Sequence, residues 1–310
     1  MTTSGFPPAW HQALEHRRRH FSFAPRETLR LLHDEDPRVR CDRLGKVSWF
    51  YWYGPARPNA DDLTAMAAFA SAAGSPHWKV RLMHNQGHKT QDQIEWGTEE
   101  PEEWIAAEGD LNYILRSNQG RSPGLFLDQR PNRQWIRQQA RAKSVLNLFS
   151  YTGGFSLNST LGAAEEVVSV DSSRSALVWS EANFRLNTLD PLQSEFWKVD
   201  ARYFLRGCKN RGRNFDLVIC DPPSFSQSRA GAFKIERDLS EILTAIDQIL
   251  SPEGRIFIAT NFEKWKSNDF AHYLRRALPG YAPLELPPPD PDFVSTKEPL
   301  MKALALAKKS

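Results

Sequence analysis

From about Gly124 to the C-terminus, short apolar runs alternate with helix-period segments, and no other feature constrains the fold as strongly. SVLNLF precedes a helix from Phe155 to Leu161, EVVSVD precedes SRSALVWSEANFRLN, and EFWKVD precedes ARYFLR. FDLVICD then precedes IERDLSEILTAIDQIL, and GRIFIAT precedes NDFAHYLRRAL. From VVSV onward the runs are short and largely unbroken by charge, as strands covered on both faces are. Five such units in succession predict a doubly wound, mostly parallel sheet of the Rossmann-like α/β class, with right-handed crossovers.

Upstream the pattern changes. Residues 1–35 are rich in Arg and His, with HRRRHF at His16 to Phe21. Leu14, Phe21, Leu29 and Leu32 give a weak helical period that Pro25 interrupts, which predicts a basic arm of one or two short helices. Residues 36–121 predict a small α+β domain. VSWFYWYG suits a pleated surface, and a helix capped by Asp61 or Asp62 runs to a stop at Gly74. HWKVRLMH, QDQIEW and DLNYILRS follow as short strands. Residues 122–310 form the α/β domain.

Composition narrows the function classes. Ten Trp and eighteen Phe in 310 residues exclude wholesale disorder. No run approaches the roughly 20 apolar residues of a membrane span. The first dozen residues hold no apolar signal core, and three scattered cysteines suit neither a disulfide framework nor a zinc site. These features predict a cytoplasmic protein with reduced thiols, no membrane partner and no metal. A net charge of +3 does not by itself announce a nucleic-acid binder.

In an open parallel sheet, ligands bind outside the carboxyl ends of the strands. The first strand is followed by FSYTGGFS, whose Gly153 and Gly154 let backbone pass close to a ligand. Asp171, Asp200 and Asp221 follow the next three strands. Each Asp could be only the N-cap of the next helix, and Phe225 of DPPSF could be a core residue. The conjunction on one edge favours a ligand. The G-x-G-x-x-G of a dinucleotide site is missing, which disfavours a nicotinamide oxidoreductase, and so is Gly-Lys-Ser/Thr. A cationic ligand without phosphate suits the carboxylates, and S-adenosylmethionine is one. Asp171 then takes the ribose hydroxyls, Asp200 accepts from the adenine amino group, and the SYTGG backbone passes the methionine part. The rigid Asp221-Pro222-Pro223 turn and Phe225 would hold a planar base.

GLFLDQR, VLNLFSYTGGFSLNSTLGA, VVSVDSSRSALVWSEANFRLN and FDLVICDPPSFSQS resemble a bacterial family of S-adenosylmethionine-dependent ribosomal RNA (large subunit) methyltransferases. The resemblance is strongest to the guanine-N7 methyltransferase domain of the fused large-subunit enzyme. It implies cofactor contacts for Phe126, Asp128 and Arg130, beside Ser150, Tyr151, Thr152, Gly153, Asp171, Ser172, Asp200, Ala201 and Asp221. It also implies an RNA or ribosomal-particle substrate. Cytosine-C5 relatives place a nucleophilic cysteine just after the fifth strand, where this chain reads Ala259, Thr260, Asn261, Phe262. Without that thiolate, C5 attack has no route, so a purine is expected. Asp221, Pro222, Pro223, Phe225 and Asn261 are the expected catalytic set.

RNA-gripping candidates are Arg17 to Arg19, Arg38, Arg40 and Arg43, the series Arg130, Arg133, Arg137 and Arg141, and Lys209, Arg211 and Arg213. Two other readings stay open: an RNA-binding protein with a vestigial cofactor pocket, and a methyltransferase for a non-RNA acceptor.

Overall fold

The computed structural model describes residues 5–83, 96–99, 101–119, 122–228, 231–293, 295 and 297–309. The chain divides into two compact units, residues 1–130 with 289–295, and residues 131–288 with 296–310.

The first unit opens with α1 (Pro8–His20), followed by β1 (Thr28–Leu32), β2 (Val39–Leu44), β3 (Val47–Trp52), α2 (Ala60–Ala72) and β4 (His77–Leu82). β5 (Trp96–Gly97), β6 (Glu103–Glu108) and β7 (Leu111–Arg116) complete its strands. β1 to β5 form one sheet in chain order, antiparallel except where α2 connects the parallel pair β3 and β4. β6 and β7 form a hairpin. The described residues of the N-terminal segment, 5–35, pack into this unit. Trp10, Ala13, Leu14 and Arg17 lie on one helical stripe of α1 and are buried, the first three in the core with Phe50 and Phe69. The expected helical period through Leu29 and Leu32 gives way to strand β1, because Pro25 and the left-handed backbone of Phe23 break the helix. Helix α2 is capped by Asn59, not Asp61 or Asp62. The Asn59 side chain accepts from Asp62 N (2.9 Å), and the Asp62 carboxylate accepts from Asn59 N (3.1 Å). Gly74 follows the helix at φ 73°, as expected of its stop. Of QDQIEW, residues 91–95 lie outside the described residues.

The second unit contains α3 (Arg130–Gln139), which starts at the boundary, then β8 (Ser144–Leu148), α4 (Gly154–Leu161), β9 (Glu166–Asp171), α5 (Arg174–Leu186) and β10 (Glu195–Lys198). Next come α6 (Ala201–Arg211), β11 (Phe215–Cys220), β12 (Phe225–Ser228), β13 (Gly231–Lys234) and α7 (Ile235–Asp247). β14 (Leu250–Thr260), α8 (Ser267–Ala277), β15 (Tyr281–Leu284) and β16 (Lys302–Lys308) end the chain. The sheet order is β10-β9-β8-β11-β14-β16-β15, with the first five strands parallel and β16 antiparallel to both neighbours.

Burial on both faces is visible along single strands. Leu217 and Ile219 of β11, with Phe257 and Ala259 of β14, pack in one core with Trp135 and Ile136 of α3. Val218 and Cys220, with Ile256 and Ile258, pack in the other with Leu205, Leu243 and Leu274 of α6, α7 and α8. This alternation is why the runs read as nearly unbroken apolar stretches. The doubly wound expectation holds, with the hairpin β12–β13 and the strands β15 and β16 added to it.

Candidate active site

Strand order reverses between β8 and β11, where an open parallel sheet leaves a crevice. Strand registers bring the ends level: Leu148 pairs with Val170 and Cys220, and Cys220 with Ile258. Segments starting at Phe149, Asp171, Asp221 and Asn261 therefore leave along one edge.

The first segment is set by its backbone. Phe149, Tyr151 and Gly153 take positive φ values of 58°, 47° and 83°, a conformation costly for the two non-glycine residues and typical of ligand loops. At Gly153 a Cβ would come within 2.1 Å of Ser180 Oγ, so the loop can lie this close to α5 only with glycine there. Asn183 Nδ2 of the same helix donates to the Thr152 carbonyl at 3.0 Å.

Asp171 holds the loop from its other side. Its carboxylate accepts from Tyr151 N at 2.9 Å and Ser173 N at 2.8 Å. Burial pushes its pKa above the ordinary carboxylate value, against the backbone N–H donors of Ser173, Tyr151 and Ser172 that pull it down. The cap of α5 is Ser173, so Asp171 is no mere helix cap. Asp200 does cap α6, accepting from Arg202 N at 3.0 Å, and also pairs with Arg202 Nε and Nη2, each at 3.0 Å. Asp171, Ser172, Asp200 and Ala201 line one narrow cavity of about 20 Å³ with Phe149 and Phe233.

At the other half of the edge, Ser224 Oγ donates to Asn261 Oδ1 at 3.1 Å, which joins the DPPSF turn to the end of β14. Asp221 is half-buried, Pro222 is buried and Pro223 is exposed. Phe225 is 53% exposed, which rules out the core reading. Cys41, Cys208 and Cys220 are all buried, and burial raises each thiol pKa.

Phe126, Asp128 and Arg130 belong to the first unit. Phe126 is exposed, whereas the buried Arg130 guanidinium bonds Asp290 (2.9 Å), Asp292 (3.2 Å) and the Thr28 carbonyl (2.9 Å) inside that unit. Several RNA-gripping candidates are likewise engaged internally. Arg17 pairs with Glu35, Arg38 with Asp36 and Asp62, and Arg213 with Glu166 and Glu195, while Arg133 is buried. Arg19, Arg141, Lys209 and Arg211 are exposed.

Sequence reasoning missed Ser224, which positions Asn261, and Arg202, which covers Asp200. It also missed Phe233, carried to the cavity by a hairpin that no local pattern announced. The Asn and second Ser of SALVWSEAN were the available signal for Ser180 and Asn183.

A glycine turn and two carboxylates at the crevice of a doubly wound sheet define an enzyme of the nucleoside-cofactor class. The chain belongs to the S-adenosylmethionine-dependent methyltransferase family, whose profile matches residues 55–295. It is 34% identical over 203 residues to the ribosomal RNA large subunit methyltransferase K/L of Shewanella sp. (strain W3-18-1), and equally to that of Shewanella oneidensis. Each match takes in 65% of this chain but only 28% of the relative's length. Among solved structures it resembles SMU.776 complexed with SAH, at a TM-score of 0.85 and 25% identity, over 96% of this chain and 80% of that one. A Streptococcus mutans structure at 24% identity shares the fold, with a TM-score of 0.83 over 96% of this chain and 80% of its own.

The cofactor is thus S-adenosylmethionine, and the residues fit it. The Asp171 carboxylate and the left-handed turn at Gly153 suit a nucleoside cofactor, and in the same loop the buried Ser150 Oγ has no hydrogen-bond partner of its own.

Proposed function

We propose that the chain methylates a base of ribosomal RNA, with guanine N7 favoured over cytosine C5. The bond between Ser224 and Asn261 beside an exposed Phe225 carries the reading, since it sets a base-reading amide next to an open aromatic face. The names of the Shewanella relatives support ribosomal RNA as the substrate class. The site of action would be the cytoplasm; among the described residues, no helix is long and apolar enough to cross a membrane.

In this reading Asp171 takes the ribose hydroxyls, Asp200 accepts from the adenine amino group, and the Ser150–Gly153 backbone with Ser172 and Ala201 borders the rest of the cofactor. When bound, S-adenosylmethionine supplies an electrophilic methyl group on a sulfonium sulfur. Guanine N7 already carries a lone pair, so the chain needs no general base. Its work is positional, which can be worth several kcal/mol. Phe225 stacks the base, Asn261 reads its edge, and Asp221 with the prolyl carbonyls faces the positive charge the purine gains. Cytosine C5 would need an accessible thiolate, and the three buried thiols do not offer one.

Mass spectrometry of ribosomal RNA from cells with and without the protein tests the proposal. Loss of one N7-methylguanosine is expected. Loss of a C5-methylcytidine would overturn the base assignment, and an unchanged set would transfer the acceptor to another class of molecule.

A further inference from the structure

Several buried or half-buried arginines of the first unit are paired with carboxylates. Arg17 pairs with Glu35 at 2.6 Å, Arg30 with Asp42 at 2.5 Å, and Arg130 with Asp290 at 2.9 Å. Arg43 is built differently. It is 3% exposed, yet its Nη atoms donate only to the main-chain carbonyls of Ala24, Glu27 and Phe23, and its Nε has no partner. Burial lowers its pKa, opposed only by the charge of Glu27. A guanidinium stays protonated in such a place, so the unit buries a positive charge that no bonded anion compensates.

Arg43 lines a cavity of about 510 Å³ whose other polar side chains are Arg18, Lys46 and Ser22, with no acid among the lining residues. The nearby acids bond groups of the cavity wall: Glu15 accepts from Arg18 Nη1 (2.7 Å), whose Nη2 donates to the Ala72 carbonyl (2.8 Å), and Glu27 accepts from Ser22 Oγ (2.5 Å) and Ala24 N (3.2 Å). Lys46, in the turn between β2 and β3, is exposed. Phe21 and Phe23 add half-buried rings, and the Arg43 guanidinium lies 5.5 Å from the Phe23 ring centre. A buried guanidinium with two further cationic side chains, Arg18 and Lys46, on the same cavity suits a phosphate, and the rings are what a nucleobase stacks on. The volume is that of an ordinary small-ligand site.

We propose that this cavity holds one nucleotide of the RNA substrate, its phosphate against Arg43, Arg18 and Lys46 and its base against Phe21 or Phe23. The RNA identity rests on the reading given under Proposed function; the cavity and its charge do not.

The test is binding of a short single-stranded RNA to the full chain across a salt series, followed by fluorescence anisotropy. Guanosine monophosphate and inorganic phosphate serve as competitors. The double variant Arg18→Ala/Lys46→Ala alters two exposed side chains, and its thermal midpoint, measured beside the parent's, checks that the fold is kept. It should bind the RNA about tenfold more weakly and lose about two from the salt slope, with S-adenosylmethionine affinity unchanged. Unchanged RNA affinity and slope would overturn the proposal. So would displacement of the RNA by either small competitor at an equal concentration, which would make the cavity a site for a free metabolite. If cells lacking the protein keep every methylated ribosomal base while binding still hinges on these cations, the acceptor reading falls and the cavity assignment stands. If a base is lost but the double variant binds normally, the reverse holds.

Discussion

The crevice of the second unit has two halves, and they are stabilised in opposite ways. At the ends of β8 and β9, the chain satisfies its own donors: Asp171 accepts from Tyr151 and Ser173, Asn183 bonds the Thr152 carbonyl, and Gly153 lies against Ser180. At the ends of β11 and β14, a bond from Ser224 to Asn261 joins the segments, and Phe225 is left open to solvent. The first half holds its shape before any ligand arrives. In the proposed reading, the second presents the groups that meet the acceptor base. Cofactor class is therefore legible from internal geometry, whereas acceptor identity depends on a surface that many planar substrates could cover.

The largest effect should come from Asp171→Ala. It removes the acceptor for two backbone N–H groups and, in the proposed reading, for the ribose, each charge-assisted bond being worth about 1.5–3 kcal/mol. Calorimetry should show S-adenosylmethionine affinity falling about a hundredfold. Phe225→Ala comes next. Loss of about 1–3 kcal/mol of stacking should cut single-turnover rate by about tenfold or more, with cofactor affinity unchanged. If Phe225→Ala weakens cofactor binding as much as Asp171→Ala does, the division between the halves fails. Asn261→Ala should be milder, about fivefold in rate for one hydrogen bond of about 1 kcal/mol. Ser224→Ala should reproduce part of that loss if Ser224 acts by positioning Asn261, and none of it otherwise.

How much of this was readable beforehand follows from where each constraint lies in the chain. The five strand–helix units were legible because each is local, and because burial on both faces writes an unbroken apolar run. Asp171 and Asp200 were legible because they end such runs. β1 was misread, since Leu29 and Leu32 fit a helical period and only pairing with β2 makes them a strand. The capping of α2 by Asn59 was missed because two Asp residues follow it, and only the side-chain bonds show which one caps. Contacts across long separations left no local trace. Asn261 and Ser224 are 37 residues apart, and Phe233 reaches the cavity from a hairpin. Charge clusters misled for the same reason: the carboxylate that neutralises Arg17 or Arg130 is visible only after folding.

The smallest predicted effect is a pH dependence, and its sign separates the halves again. Burial raises the Asp171 pKa in the folded protein above its unfolded value. Between those two values the folded state binds more protons, so the contribution of Asp171 to stability is fully present below the unfolded pKa and lost as pH rises through the folded one. Cofactor binding runs the other way. Ribose hydroxyls donate best to the ionised carboxylate, so affinity should weaken as pH falls through the raised pKa, at a higher pH than an ordinary Asp would show. Asp171→Asn should flatten both slopes, read as thermal midpoint and calorimetric affinity in a pH series that starts at the ordinary carboxylate range and runs upward. Phe225→Ala should leave both in place, because the Asp171 pKa is set by burial and by the backbone N–H groups of Ser173, Tyr151 and Ser172. A cofactor affinity that stays level through this range in the unmodified protein would mean that Asp171 does not meet the cofactor as an anion.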